Sequence, residues 1–195
     1  MPRIIMVRHG RAAAHWTQDR DPGLDEHGHA QAGQAVATIE GLLIASPPEV
    51  SVLTSPLLRC RETAAPLERH WQTEATVCAG VSEIPSPDNL SLESRGPWLQ
   101  RIMSGSWQDA NSDPDSKGIA LSRWRSGVIK VLTGCTADAV IFSHFVAINV
   151  AAGFARGIDD VVSFRPDNGS CTVFESDGSA LHLVKQGHEA QTQVN

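Results

Sequence analysis

The sequence lacks the long apolar runs that a membrane protein would need. No stretch approaches the roughly 18 apolar residues that a helix requires to cross a bilayer. The first apolar stretch, residues 4–7, runs directly into Arg8. A secretory signal needs an apolar region of roughly 7–15 residues followed by small residues at a cleavage site. We therefore expect a strand at this position and no association with a membrane.

Cysteine is scarce, and basic residues are in the minority. The four cysteines form no CxxC pair, so neither a zinc site nor a disulfide framework is predicted, and a reduced, cytoplasmic compartment is expected. The 22 acidic and 16 basic residues give a net charge of −6. Such a chain lacks the long-range attraction that general binders of nucleic acid or anionic membranes use. An anionic substrate must then be held by a local cluster of arginines.

Glycine-rich nucleotide-binding signatures are also missing. No G-x-G-x-x-G motif occurs. Gly28 and Gly33 have the spacing of two P-loop glycines, but Gln34-Ala35 stands where the lysine and hydroxyl residue are required. This absence argues against an enzyme that uses a nucleotide cofactor on an α/β sheet.

The chain is long enough for one sizeable core. With 195 residues, 41% of them hydrophobic, it is predicted to form a single domain over residues 1–195. The segment from residue 186 onward is polar and is expected to fray. Three of the five tryptophans are expected to be core or lid residues, and these are Trp98, Trp107 and Trp124.

Short apolar runs alternate with helical periodicity along most of the chain. Strands are predicted at residues 3–7, 50–53 and 137–142, with helices near residues 32–43, 58–65, 92–103, 119–132 and 146–154. Asp25 is predicted to cap the first helix, and Ser55 with Pro56 to begin the second. Residues 74–81 are expected to be extended and residues 105–118 to form a surface loop. A late hairpin, residues 171–174 and 181–184, completes an α/β domain whose mostly parallel sheet has an antiparallel edge.

Two histidines follow buried strands of this predicted sheet. His9 comes directly after the apolar run ending in Arg8, and His144 directly after the run ending in Ser143. Ligand sites of open α/β sheets form beyond the carboxyl ends of the strands, where the strand order switches. We therefore expect the two histidines to face each other across one crevice.

At these positions the sequence resembles the histidine phosphatase superfamily, the group that includes cofactor-dependent phosphoglycerate mutases. Val7-Arg8-His9-Gly10 resembles its signature, and Ser55-Pro56-Leu57-Leu58-Arg59-Cys60-Arg61-Glu62-Thr63-Ala64 its second motif. Phe142-Ser143-His144 resembles the third motif. The segment Leu24-Asp25-Glu26-His27-Gly28 and the turn Asn168-Gly169-Ser170-Cys171 also resemble family segments. The motifs occur in the family's order, which makes the resemblance specific.

The resemblance implies a three-layer α/β/α fold like that of phosphoglycerate mutase and a metal-free, cofactor-free reaction through a phosphohistidine on His9. Neutral histidine is a good nucleophile, and arginines offset the charge of the phosphoryl group by forked hydrogen bonds. Arg8 and Arg59 are the phosphate ligands that the resemblance implies. His144 would donate to the same oxygens and stabilise the transition state.

A carboxylic acid must protonate the leaving oxygen and later activate water. By the family's pattern this acid lies between the second and third motifs. Glu83 is the first candidate and Glu93 the second. A glutamate in a loop is usually only solvated, which is the alternative to an acid role for Glu83. For Thr63, packing within the helix explains the residue as well as a role in the site does.

The sequence departs from the family's pattern at three places. Gly10-Arg11-Ala12 replaces the usual Gly-Glu-Thr or Gly-Glu-Ser, and Phe145 stands where glycine usually follows the second histidine. Arg11 is a hypothetical third positive group. The mutase-like Trp-Asn pair is absent near His15-Trp16-Thr17. We therefore favour a phosphatase over a phosphoglycerate-type mutase, and a catalytically silent binder of phosphorylated ligands is the remaining alternative.

The substrate is expected to be a small phosphorylated molecule. Residues 83–118 are predicted to roof the pocket. A sugar phosphate, a phosphoglycerate, a nucleotide and a phosphoprotein all remain open.

Overall fold

The fold is built on one six-stranded sheet. The computed structural model describes residues 1–14, 18–45, 47, 49–88 and 90–190, so His15-Trp16-Thr17 lies outside the described residues. The strands are β1 (Arg3–Arg8), β2 (Ser51–Thr54), β3 (Thr76–Val77), β4 (Ala139–Ser143), β5 (Cys171–Ser176) and β6 (Leu181–Lys185). Their order in the sheet is β3-β2-β4-β1-β5-β6. The first four in this order are mutually parallel, whereas β5 and β6 are antiparallel to their neighbours. The predicted parallel sheet with an antiparallel edge is confirmed.

Helices cover both faces of the sheet. They are α1 (Glu26–Leu42), α2 (Leu58–Trp71), α3 (Leu92–Met103), α4 (Trp107–Ser112), α5 (Leu121–Thr133) and α6 (Phe145–Arg156). The side chains of β1 alternate between two cores: Ile5 and Val7 pack with α1 and α2, whereas Ile4 and Met6 pack with α3 to α6. A strand buried on both faces must be apolar throughout, which explains the continuous apolar runs of β1 and β4. The three-layer α/β/α arrangement is thus also confirmed.

The start of α2 differs from the prediction. The helix begins at Leu58, with Leu57 at the N-cap position and no cap from that residue's side chain. Ser55 does not cap the helix, which begins three residues later; its hydroxyl accepts from the amide of Leu57 at 3.3 Å and is also bonded to the ring of His144. The helix continues through Pro66 to Trp71, since the buried face that includes Ala64 and Leu67 holds it against the sheet.

Two further predictions were wrong in part. Residues 105–118 are not a surface loop, because they contain α4 and a 3₁₀ turn at Pro114–Ser116. Ser106 and Asp109 form a capping box there, and Trp107 packs into the core. Residues 74–81 are extended only at β3 and then form the 3₁₀ turn Ala79–Val81.

The C-terminal segment is tied to the loop before β5 as far as it is described. The amide of Asp167 donates to the His188 carbonyl at 2.8 Å, and the amide of Ala190 to that of Arg165 at 2.9 Å. Residues 191–195 of the predicted frayed tail lie outside the described residues. Within the described ranges, no helix has the length and apolar character needed to cross a membrane.

Candidate active site

The parallel strands β2, β4 and β1 end at the same edge of the sheet, and the two histidines lie there. Arg8 is in register with Ser143, and the amide of His9 donates to the Ser143 carbonyl at 3.0 Å. The rings of His9 and His144 lie edge to face with their centroids 5.3 Å apart. The topology therefore brings the two histidines together at one edge of the sheet, but only His9 lines the cavity, so they do not face each other across it as expected.

Hydrogen bonds select one tautomer of His9. Its Nδ1 lies 2.7 Å from the Gly10 carbonyl and donates to it, because a carbonyl only accepts. Its Nε2 accepts from Nε of Arg59 at 3.2 Å. Burial lowers the pKa of His9 well below its usual value, and the charges of Arg59 and Arg8 lower it further. The ring is thus neutral at physiological pH and carries its lone pair on Nε2.

Arg8 is anchored in a buried position next to this ring. Its Nη1 donates to the Pro166 carbonyl at 2.8 Å, and its guanidinium lies 5.1 Å from the centre of the Phe145 ring. Burial lowers the pKa of Arg8 to about 10, so the group remains charged near neutral pH. Phe145, the departure from the family's pattern, therefore packs against a predicted phosphate ligand.

Arg59 lies in the first turn of α2 and is held from outside the helix. Asp21 accepts a hydrogen bond from the amide of Leu58 at 2.8 Å, and the same carboxylate oxygen lies 3.8 Å from Nη1 of Arg59. Asp21 thus caps a helix whose own N-cap residue offers no acceptor. The same carboxylate positions the arginine that contacts His9.

Further hydrogen bonds fix the backbone around His9. Thr63 accepts from the amide of Gly10 at 3.0 Å and donates to the Arg59 carbonyl at 2.6 Å. The side-chain amide of Asn168 donates to the carbonyl of His9 at 2.9 Å. Thr63 therefore supports the site through the backbone, in addition to packing in α2.

The first turn of α1 packs directly on the segment after His9. A Cβ on Gly10 would lie 2.4 Å from the Gly28 carbonyl oxygen, and a Cβ on Gly28 would lie 2.2 Å from the Arg11 carbonyl oxygen. No side chain fits at either position. Asp25 caps α1 as predicted by accepting from the amide of Gly28 at 2.7 Å.

Glu83 follows the 3₁₀ turn after β3 and is 8% exposed. Its Oε1 accepts from the amides of Ile84 at 2.9 Å and Val146 at 3.3 Å, whereas its buried Oε2 has no partner among the described residues. Burial raises the pKa of Glu83, against the opposing effect of these amides and of nearby arginines. A buried carboxyl group with a raised pKa at the cavity wall suits a general acid. Glu93 is exposed on α3 and is not on that wall.

His144 is fully buried, and its ring is bonded away from the cavity. Its Nε2 lies 2.7 Å from the Ser55 hydroxyl and 3.3 Å from Sγ of Cys60. Burial lowers the pKa of His144 well below its usual value, and Arg59 and His9 lower it further. The ring is therefore neutral and stands behind His9. Its predicted role as a phosphate ligand stays a prediction.

Arg11 lies at the rim of the cavity. Its side chain is 60% exposed, and its Nε donates to Asp25 at 2.5 Å. This ion pair already offsets the charge of Arg11. Its hypothetical contact with phosphate also stays a prediction.

A cavity of about 770 Å³ opens above these groups. Its wall includes Arg8, His9, Arg59 and Glu83, which supply two cations, a neutral imidazole and a buried carboxyl group. The cavity is large enough for a small phosphorylated molecule. The arrangement can bind a dianion, attack it at one face and protonate a leaving oxygen.

The family follows from a comparison with known family models. The model of the histidine phosphatase superfamily, branch 1, matches residues 4–188. The chain belongs to this superfamily. No curated protein matches the chain significantly.

Solved structures of the superfamily's fold overlie nearly the whole chain. Phosphoserine phosphatase from Entamoeba histolytica, in complex with 3-phosphoglyceric acid, is 20% identical, with 98% of each chain covered and a TM-score of 0.71. YhfR from Bacillus stearothermophilus is 16% identical, with 97% of this chain and 98% of that chain covered and a TM-score of 0.75. A mycobacterial glucosyl-3-phosphoglycerate phosphatase complexed with VO3 is 18% identical, with 94% and 97% covered and a TM-score of 0.66. At these identities the likeness shows a shared fold.

Several residues of this superfamily member's site were not predicted from its sequence. Asp21 and Asn168 position Arg59 and the backbone of His9, and Cys60 contacts His144. Asp21 gives no signal that separates it from its neighbours Asp19 and Asp25. Asn168 carried a signal, because it lies in a turn that resembles a family segment.

Proposed function

We propose that this histidine phosphatase superfamily member hydrolyses a phosphomonoester through a covalent phosphohistidine on His9. The observation that carries the proposal is the state of the His9 ring. Its Nδ1 proton is fixed on the Gly10 carbonyl, and its Nε2 lone pair lies at the cavity wall beside two buried arginines. A neutral, oriented imidazole is the form of histidine that can attack phosphorus.

The first step transfers the phosphoryl group to the protein. The lone pair on Nε2 of His9 forms a bond to phosphorus, and the bond from phosphorus to the ester oxygen breaks. Before this attack, as the substrate binds, the guanidinium of Arg59, which holds Nε2 in the free protein, turns its hydrogen bonds to the phosphoryl oxygens together with Arg8 and so frees the lone pair. Glu83 gives its proton to the leaving oxygen.

The second step regenerates the protein. Glu83, now a carboxylate, takes a proton from water as the water oxygen attacks phosphorus. The bond from phosphorus to Nε2 breaks, its electron pair returns to the ring, and inorganic phosphate leaves. Apart from the ester and water, these steps need no reactant from outside the chain. The similarity to phosphatases of Entamoeba histolytica and mycobacteria supports this reaction class.

One observation favours a second candidate, a catalytically silent protein that binds phosphorylated ligands. His144 is fully buried and bonded to Ser55 and Cys60, so it does not reach the cavity wall in the free protein. A phosphatase would need another group, or a turn of this ring, to replace its contact with the phosphoryl oxygens.

Release of inorganic phosphate from 4-nitrophenyl phosphate distinguishes these candidates. The assay is run with EDTA present on the unmodified protein and on His9→Ala. We expect activity that survives EDTA and is lost in the variant. Equal activity in both proteins would exclude His9 as the nucleophile. Tight binding of phosphate by both proteins, with no turnover of aryl or alkyl phosphates, would favour the silent binder.

A further inference from the structure

Arg95 faces the cavity from the helix that forms part of its roof. Both Arg95 and Trp98, which lie one turn apart on α3, line the cavity. Trp98 is 2% exposed, and its indole Nε1 donates to the hydroxyl of Ser116 at 3.1 Å. This buried anchor fixes the face of α3 that carries Arg95.

Every other arginine of the cavity except Arg20 has an acceptor for its side chain. Arg8 donates to the Pro166 carbonyl, Arg11 to Asp25 and Arg59 to His9. Over residues 1–14, 18–45, 47, 49–88 and 90–190, Arg20 and Arg95 have neither an ion pair nor a side-chain hydrogen bond. These two guanidinium groups therefore take no part in the contacts that hold the site together.

The lack of a partner for Arg95 destabilises the protein because of where this side chain lies. Its Nε is closed off from solvent and has no acceptor within the described ranges. Burial lowers the pKa of Arg95, and the positive charges of Arg20 and Arg59 lower it further. A buried donor without an acceptor is destabilising, and so is the proximity of like charges. An anion bound at this place would remove both costs.

We propose that Arg95, assisted by Arg20, binds a second anionic group of the substrate. The inference rests on the proposed function only in placing the reacting phosphoryl group on Arg8 and Arg59. The charge of Arg95 and Arg20 is then left for a different anion on the same molecule. The substrate is a small phosphomonoester that also carries a carboxylate or a second phosphate, and a cavity of about 770 Å³ has room for it.

Binding to the His9→Ala variant tests this without turnover. Dissociation constants are measured by calorimetry for two matched pairs, 3-phosphoglycerate with glycerol 3-phosphate and fructose 1,6-bisphosphate with fructose 6-phosphate. Each pair differs in its second anion. In one pair, we expect the compound with two anionic groups to bind at least about tenfold more tightly than the compound with one, which corresponds to about 1.4 kcal/mol. The pair that shows the preference identifies the second anion as carboxylate or phosphate.

Variants of two arginines on α3 make the test specific. Arg95→Gln is expected to reduce the ratio within the preferred pair to below about threefold, and Arg95→Lys to retain most of it. Arg101→Gln is the matched control, because Arg101 pairs with Asp113 and Asp115 and is not on the cavity wall. It removes a charge from the same helix and is expected to leave the ratio unchanged.

The proposal and the proposed function fail in different ways. Ratios near one in both pairs, binding of no ligand, or a preference that persists in Arg95→Gln would overturn the assignment of Arg95. An Arg95-dependent preference in a protein that hydrolyses neither 4-nitrophenyl phosphate nor any of the four compounds would support the anion subsite and contradict the phosphatase. If His9→Ala does not fold, the ratios are measured on the His9-containing protein as inhibition constants against 4-nitrophenyl phosphate, or as calorimetric constants if it is inactive.

Discussion

The same substitution at two glycines of α1 is expected to have opposite effects. Gly28 and Gly33 lie on one helix, yet Gly28 is buried against the segment after His9 and Gly33 is exposed. A Cβ on Gly28 would lie 2.2 Å from the Arg11 carbonyl oxygen, whereas a Cβ on Gly33 would have no atom within 4 Å. Alanine should therefore stabilise the protein at one position and destabilise it at the other.

The sizes follow from helix propensity and from the overlap. Gly33→Ala gains about 0.5–1 kcal/mol, because glycine loses more backbone entropy in a helix than alanine does. At about 2–4 °C per kcal/mol for a chain of this size, Tm should rise by about 1–4 °C. Gly28→Ala overlaps the Arg11 backbone by roughly 1 Å, and overpacking of this kind costs about 1–3 kcal/mol. Its Tm should therefore fall by several degrees.

The overlap at Gly28 also bears on catalysis. Relief of the contact requires the backbone of residues 10 and 11 to move away from α1, and this backbone carries the carbonyl that fixes the His9 ring. A displacement of about 1 Å at a reacting group can cost on the order of 100-fold in rate. Gly28→Ala should therefore lose at least about tenfold in kcat, with Gly33→Ala unchanged.

Thermal unfolding and phosphate release on the two variants measure both effects. The control, Gly33→Ala, reports the propensity gain alone. Equal stabilisation by both substitutions, with kcat preserved in Gly28→Ala, would refute the close approach of α1 to the segment after His9.

Three further predictions concern single side chains. Burial lowers the pKa of His144, so below about pH 6.5 the unfolded chain binds a proton at this residue that the folded chain does not bind, and the protein loses stability as the pH falls. His144→Gln removes this difference, so the slope of the unfolding free energy against pH should fall by about 1.4 kcal/mol per pH unit. An unchanged slope would contradict this. Glu83→Gln should cost roughly 10²–10⁴-fold in kcat/KM for an alkyl phosphate but much less for 4-nitrophenyl phosphate, whose leaving group needs little protonation; equal losses would exclude Glu83 as the acid. Asp21→Ala should lower the unfolding free energy by about 1 kcal/mol and raise KM, because the Leu58 amide and Arg59 each lose a partner. Asp21→Asn keeps an acceptor for the amide but not the charge, so it should restore the stability but not KM. Chemical denaturation measures the first effect and steady-state kinetics the second.

The parts of the fold that sequence could predict are those with a one-dimensional signal. The runs that form β1 and β4 are apolar throughout because both faces are buried, and Asp25 marks the start of α1 because it is a good N-cap residue before periodic apolar positions. Ser55 carries the same capping signal as Asp25. It does not cap the helix because the helix begins only at Leu58; the Ser55 hydroxyl instead accepts from the Leu57 amide and meets His144, which is 89 residues away in the chain.

The candidate site divides in the same way. His9 could be predicted from its motif and from its place after a buried strand, and Glu83 was the first of two glutamates expected between the second and third motifs. Both lie on the wall of one cavity. Asp21 could not be predicted, because its contact with the first turn of α2 exists only after the loop before α1 has folded over that helix. The orientation of the His144 ring, away from the cavity, also could not be predicted, because it depends on a contact with Cys60, which lies on a different element.

Trapping of the phosphorylated protein tests the central claim most directly. The protein is mixed rapidly with a ³²P-labelled phosphomonoester, quenched under alkaline denaturing conditions that preserve phosphohistidine, and examined by tandem mass spectrometry. The mechanism predicts a phosphoryl group on His9 that forms and decays within turnover, with none in His9→Ala. Turnover without label on His9, or label on His144 instead, would contradict it.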